Sequence, residues 1–308
     1  MQFLTDERKG ILYAISSGLC FGLLGYFGVT LMDAQLSVYT MLFWRFVVGS
    51  LLVTFLLIPQ RRSLLSKKKD LLLVFVYGIT FYSITAILYF IACKYISTGL
   101  AMVTFFTYPV VVILLNRLLY KTRIPKSYYG AVGLILFGLF LLGGSQGVVV
   151  DVTGLLLGIA SAVVYAFYMI ASKRSALSPL ISTLMVSLGC LVTCFAAAYV
   201  TGTFMVPHGV YVWYNIIALG TLCTALPILL LLKALKYISS EKASLLSVLE
   251  PVFVLIFGAL LLDEVVTPMQ LVGVVIVLCG AVLTLIGPRL RGGVALQKWI
   301  RSFQQKNS

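Results

Sequence analysis

Charged side chains make up only 10% of the 308 residues, against about 25% in an ordinary soluble domain. Hydrophobic residues reach 61% and the mean hydropathy is +1.09, so a water-soluble globular protein is excluded. Histidine is almost absent, with His208 the single instance, and the His/Cys/carboxylate clusters that hold zinc or iron are therefore missing. The six cysteines, Cys20, Cys93, Cys190, Cys194, Cys223 and Cys279, all lie in long apolar runs without a CxxC spacing. They read as small buried hydrophobes, not as disulfides or metal ligands. No G-x-x-x-x-G-K-[ST] loop occurs, so this polypeptide does not power itself by nucleotide hydrolysis. The nine acids fall mostly at the ends of apolar runs and offer neither a triad nor paired carboxylates within one. No cofactor and no metal are expected.

What the chain has in quantity is apolar sequence, and about 20 such residues make one membrane crossing. Ten spans fit: about 11–32, 38–58, 71–93, 100–119, 128–143, 155–172, 180–200, 212–232, 243–262 and 269–286. The fifth and sixth are short. The stretch after Asp6-Glu7-Arg8-Lys9 is too long for a signal-peptide core and reads as a retained first span. A net charge of +14 would suggest nucleic acid in a soluble protein, but here 21 of the 23 Lys and Arg fall in alternate breaks, beginning with Arg8 and Lys9. The opposite breaks hold only Lys94, and Arg45 lies inside the second span. That asymmetry marks the basic side, including both termini, as cytoplasmic. It makes membrane lipid a partner, above all for the basic tail, and nucleic acid not one.

An internal repeat follows. Residues 92–119 align with 234–261 at a constant offset of 142, with 11 of 28 positions identical, Lys94-Tyr95-Ile96-Ser97 against Lys236-Tyr237-Ile238-Ser239 and Pro109-Val110 against Pro251-Val252 among them. Five spans separate the copies, so the second is inserted upside down. The fold class expected is an all-α polytopic membrane protein, with ten transmembrane helices as two inverted five-helix repeats. Its parts are a cytoplasmic N-terminus (1–10), a first repeat (11–144), a second repeat (153–286) and a basic cytoplasmic tail (287–308).

Trp44-Arg45 in the second span, the repeated segment with its central Tyr108-Pro109 and Glu250-Pro251, the terminal Asp263-Glu264 and the Gly-rich closing helices together resemble the drug/metabolite transporter superfamily, specifically its ten-span EamA-type exporters. The resemblance covers about residues 10–286. One departure is Lys121-Thr122-Arg123, where the family carries an acid after the fourth span. The resemblance implies a bacterial inner-membrane carrier of small polar metabolites, commonly amino acids and related compounds. S-adenosylmethionine or nucleotide-like compounds are carried elsewhere in the superfamily.

Ionisable groups at membrane depth are costly and mark function by default. Glu250 is one, and Pro251 after it frees the carbonyl of Ser247, on the same helical face, for a ligand; a structural carboxylate paired with a neighbouring helix is the alternative. Arg45 suits a substrate carboxylate, or equally, beside Trp44, a snorkelling anchor. In the first repeat Tyr108 takes the place of Glu250, with Thr104 one turn before it. Tyr82, Thr85 and Tyr89 form a stripe on the third span, and Ser161, Tyr165 and Tyr168 one on the sixth, each of which also suits plain packing. Thr221 and Thr224 on the eighth serve either a ligand or their own backbone. Gly18, Gly22 and Gly25, with Gly273 and Gly280, mark close helix contacts.

The function expected is secondary transport, by alternating access, of a small zwitterionic or cationic metabolite such as an amino acid or amino-acid conjugate, S-adenosylmethionine-like compounds included. Movement is driven by a coupling proton or an exchange substrate. The alternative is a membrane-embedded enzyme acting on a lipid-linked substrate, which would gather polar groups at an interface and not at mid-depth.

The orientation is testable in intact cells. Cysteines introduced at Gln35, Gln146 and His208 are expected to label from outside, and one at Ser66 only after permeabilisation. Outside labelling at Ser66 would contradict the ten-span map.

Overall fold

The computed structural model describes residues 2–58, 68–96, 98–122, 124–143, 151–261 and 266–286, and among these all regular structure is helical. Ten helices are long and apolar enough to cross a membrane: Asp6–Gly28, Val38–Leu57, Lys68–Tyr95, Leu100–Tyr120, Lys126–Gly143, Val152–Lys173, Pro179–Val200, Val210–Tyr237, Ser240–Leu261 and Pro268–Ile286. The breaks with Arg61, Arg62 and Lys67, together with Ser97, Arg123, Gln146, Asp263-Glu264 and the tail over 287–308, lie outside the described residues.

Several boundaries differ from expectation, the first span beginning at Asp6 and not at 11, and two of the differences change the reading. The sixth span is 22 residues, not a short one, because Asp151 caps it by accepting from the Gly154 N–H at 3.0 Å. The eighth runs on to Tyr237, so Lys233 and Lys236 sit on its last turns and not in a loop. Their stems allow this: Lys236 donates to the Ser175 carbonyl at 2.7 Å, and the Lys233 ammonium lies 5.6 Å from the centre of the Tyr13 ring.

Among the described residues five spans are interrupted: the first at Leu23, between helices Gln2–Gly22 and Leu24–Asp33, and two pairs whose interruptions match between the halves. The fourth span is a helix Thr98–Phe105, a turn, and a helix Tyr108–Tyr120; the ninth is Ser240–Ser247, a turn, and Glu250–Leu261. Each bound described in both copies is displaced by the 142 residues of the sequence repeat. Pro109 and Pro251 explain the restart, since a proline lacks the N–H needed inside a helix but is accommodated in a first turn. The third and eighth spans each contain a π-turn, Gly78–Tyr82 and Thr221–Ala225. Such turns insert an extra residue and are frequent at functional sites.

Between helices in lipid there is little hydrophobic drive, so small residues and hydrogen bonds hold the bundle. The third and seventh spans cross at Gly78 and Gly189, where a Cβ on either would run into backbone of the other, the Val186 and Phe75 carbonyls. The carbonyls of the π-turn find partners across this crossing: Gly78 accepts from the Cys190 thiol at 3.4 Å and Ile79 from the Thr193 hydroxyl at 3.3 Å. The fifth and tenth spans meet in the same way, with a Cβ on Gly138 falling 2.8 Å from the Gly273 carbonyl oxygen.

Gly78→Ala and Gly189→Ala should each cost about 1–3 kcal/mol through overpacking and lower the melting temperature in detergent. Gly133→Ala, whose Cβ would meet nothing within 4 Å, should leave it unchanged. Equal melting of all three would refute the backbone contact as the constraint.

Candidate functional site

A cavity of about 120 Å³ lies among the first, second, third, fourth, sixth and ninth spans. That is space for several waters or a small solute. Its wall combines Arg45 and Glu250 with four tyrosines, Tyr82, Tyr89, Tyr108 and Tyr165. Phe21, Leu24, Gly25 and Gly28 complete it from the first span and Met102, Phe105 and Phe106 from the fourth, with Val254 beyond Glu250.

Glu250 is placed by a break in its own span, whereas Arg45, on the unbroken helix Val38–Leu57, is held by the π-turn of the eighth. Glu250 opens the second half of the broken ninth span, where helix N-terminal amides favour an anion. Gly18 on the first span admits that turn, since its Cβ site lies 3.5 Å from the Glu250 nitrogen. Glu250 is partly exposed, and among the described residues its carboxylate makes no hydrogen bond and no ion pair within 4 Å. Arg45 is 2% exposed, so it does not snorkel as an interfacial anchor would. Its Nε donates to Thr224 Oγ1 at 2.6 Å, while neighbouring Trp44 donates to the Met205 carbonyl at 3.0 Å. The two charges thus share one cavity without bonding to each other.

The tyrosines form a connected wall. Tyr108 and Tyr165 meet edge to face at 4.8 Å, Tyr82 stands 6.3 Å from Tyr165, and Tyr89 packs on Phe105 at 5.5 Å. The Tyr108 hydroxyl donates to the Ser244 carbonyl at 3.3 Å, which ties the break in one half to the helix before the break in the other.

Four of the residues singled out from the sequence stand behind this wall. Thr104 donates to the Ala101 carbonyl at 2.8 Å and packs against Gly158. The Ser247 hydroxyl donates to the Ala243 carbonyl at 3.0 Å; because the helix ends there, Ser247 and Glu250 do not share a continuous face. Tyr168 is fully buried, 5.0 Å behind Tyr82. Thr224 touches Arg45, not the cavity. Of their neighbours, Ser161 donates to the Thr85 carbonyl at 3.0 Å and Thr221 bonds its own helix at 2.7 Å, whereas Thr85 is in the wall. Sequence reasoning missed the apolar wall, whose residues look like any others in an apolar run, and Cys93, which it took for a packed hydrophobe and which lines the cavity.

The end of the bundle that carries the N-terminus is tied across by polar contacts, beside a recess of about 400 Å³ lined by Glu7, Lys236 and Lys242. Lys242 Nζ meets Glu7 Oε1 at 2.5 Å, and Asn116 donates to Ser240 Oγ at 2.9 Å. Lys173 donates to the carbonyls of Leu235 and, at 2.8 Å, Ile238, which the end of the eighth-span helix leaves without amide partners. The cavity lies beyond these contacts and extends away from them as far as Gly28, Cys93 and Met102.

Comparison with known proteins points one way. The model of the EamA-like transporter family matches residues 8–144 and again 152–286. An uncharacterized transporter of Synechocystis sp., sll1319, is 29% identical over 209 residues, 62% of this chain and 60% of that protein's own length. The threonine/homoserine exporter RhtA of Escherichia coli K12 is 27% identical over 231 residues, 74% of this chain and 75% of its own. A solved crystal structure superimposes with a TM-score of 0.79 over 92% of this chain and 99% of that one; at 20% identity it shows a shared fold.

Cys93 gives a direct check on the cavity. With Cys20 and Cys279 replaced by serine, a small polar thiol reagent should modify Cys93 and spare the buried Cys190, Cys194 and Cys223, as read by mass spectrometry. Modification at Cys190 with none at Cys93 would mean the cavity is misplaced.

Proposed function

The chain belongs to the EamA-like transporter family, and from that membership we propose that it moves a small zwitterionic metabolite, an L-amino acid or close relative, across the membrane by alternating access. It is a multi-pass membrane transporter; the substrate and mechanism are the proposal. The observation that carries it is the pair Arg45 and Glu250, opposite charges in one aromatic-walled cavity and not bonded to each other. A guanidinium meets a carboxylate in charge-assisted hydrogen bonds, a carboxylate meets an ammonium, and each charge costs less where a hydrated cavity or partner receives it. A zwitterion satisfies both poles at once. A sugar or a hydrocarbon satisfies neither.

The relative named as a threonine/homoserine exporter supports an amino-acid substrate. The small cavity suits an amino acid better than a nucleoside conjugate such as S-adenosylmethionine, although tyrosine faces would also receive a sulfonium. An enzyme on lipid-linked substrates is disfavoured, since the charged groups converge deep in the bundle and not at its rim. Interruptions at matching places in the two halves supply hinges for exposing the site to one side and then the other. In this view the inner membrane is crossed with both termini cytoplasmic, and the contacts around Lys242 close the cytoplasmic face. A proton or a counter-substrate drives the cycle.

The test is counterflow of labelled L-threonine and L-homoserine in proteoliposomes, in competition with their carboxyl amides and N-acetyl forms. Blocking either end should weaken competition. Glu250→Gln should abolish the preference for a free amine and Arg45→Gln that for a free carboxylate, each at about 1.5–3 kcal/mol or roughly ten- to a hundred-fold in affinity. Unchanged preferences in both variants would refute the two-pole site.

A further inference from the structure

Arg45 is the only cation in the described cavity wall, and its Cζ lies 5.2 Å from the centre of the Phe46 ring. A guanidinium offers five N–H donors along two usable edges, through Nε and one terminal nitrogen or through both terminal nitrogens. Something must decide which edge faces the ligand. Here Nε is committed to Thr224, a residue outside the cavity, while the guanidinium also meets the Tyr82 hydroxyl of the wall, which can take only one of the four terminal N–H groups.

The commitment is built into the eighth span. Thr221 bonds in the ordinary helical way, to the Ile217 carbonyl four residues back at 2.7 Å. Thr224 instead reaches Leu219, five residues back, also at 2.7 Å, which is the spacing of the π-turn Thr221–Ala225. A hydroxyl has one proton; with that proton on Leu219, its lone pairs are left to accept from Arg45. Two glycines press the turn against the second span. A Cβ on Gly220 would fall 2.9 Å from the Arg45 carbonyl oxygen, and one on Gly49 3.2 Å from the Gly220 carbonyl oxygen.

We propose that Thr224 is a positioning residue for substrate selection. It fixes Arg45 through Nε from behind the wall, so that a carboxylate is gripped end-on by the two terminal amino groups. This rests on Arg45 being the carboxylate partner. Thr224 therefore governs how strongly the site prefers a carboxylate, without touching the substrate.

The test uses the full chain, purified. The probes are the twenty L-amino acids and L-homoserine; the strongest binder to the wild-type chain is then compared with its carboxyl amide. Thr224→Val keeps the shape and removes the hydroxyl. It should raise Kd for the acid about tenfold, leave Kd for the amide unchanged and so erase most of the preference. Thr224→Ser should retain it. Thr224→Cys, with a weak acceptor of similar size, should behave like valine and carries the same test if the valine variant does not fold. Equal weakening of acid and amide in these variants would assign Thr224 to packing alone. No change in either, with Arg45→Gln abolishing the preference, would overturn the role of Thr224 and leave the site standing. An unaltered preference in Arg45→Gln, or no binding of any probe to the wild-type chain, would remove the site and this proposal with it.

Discussion

A guanidinium and a carboxylate cost several kcal/mol to hold at membrane depth unless water, a partner or a ligand receives them, and the bundle is arranged around that cost. Arg45 has its Nε satisfied by Thr224 at 2.6 Å. Glu250 stands at a fresh helix N-terminus and is partly exposed to the cavity. Neither is relieved by the obvious route of bonding to the other. A direct pair would leave the cavity with no charge to offer, whereas separated charges set up a field across it that neutral tyrosines line and insulate. The interior dielectric strengthens such a field relative to water.

The backbone is bent to this purpose in both halves. The break before Pro251 presents Glu250, the equivalent break before Pro109 presents Tyr108, and the π-turns present Tyr82 on one side and Thr224 on the other. Each irregularity frees backbone groups that lipid cannot satisfy. The surrounding helices supply the partners: Cys190 and Thr193 for the first π-turn, Tyr108 for the Ser244 carbonyl. Glycines make room for those approaches, at Gly18 beside Glu250 and at Gly220 beside the second span. At the other end the charges are spent differently. Lys242 is neutralised by Glu7, and the corresponding place in the first repeat carries Leu100 where the second carries Lys242, so the two ends of the repeat frame differ in charge.

Much of this was legible in the amino-acid sequence because charge and proline stand out in apolar runs. Ten spans emerge from hydropathy and from the placement of Lys and Arg; Glu250 and Arg45 emerge as isolated charges, and the repeat pairs Tyr108 with Glu250. The stripe of Tyr82, Thr85 and Tyr89 keeps its phase because all but its first member follow the π-turn. What was not legible is side-chain direction across an irregularity. One extra residue in a turn rotates everything after it by about 100°, so spacing alone could not assign Thr224 to Arg45 and not to the cavity. The break after Ser247 likewise parts two residues that helical spacing would join. Tyr168, in an unbroken helix, has the same composition as Tyr165 and lies one row behind it; only the packing of neighbouring helices separates them.

That the two charges are held apart for a ligand, and not for each other, is measured most directly by a double-mutant cycle on thermal stability without ligand, comparing Arg45→Gln, Glu250→Gln and the combined variant. Removing one member of a buried ion pair is strongly destabilising because it strands the other charge, and removing both relieves that strain. Charges that each face a hydrated cavity should instead show no rescue, with the double variant melting at or below the less stable single one. Recovery of the double variant toward the wild-type melting temperature would contradict this and identify Arg45 and Glu250 as partners of each other.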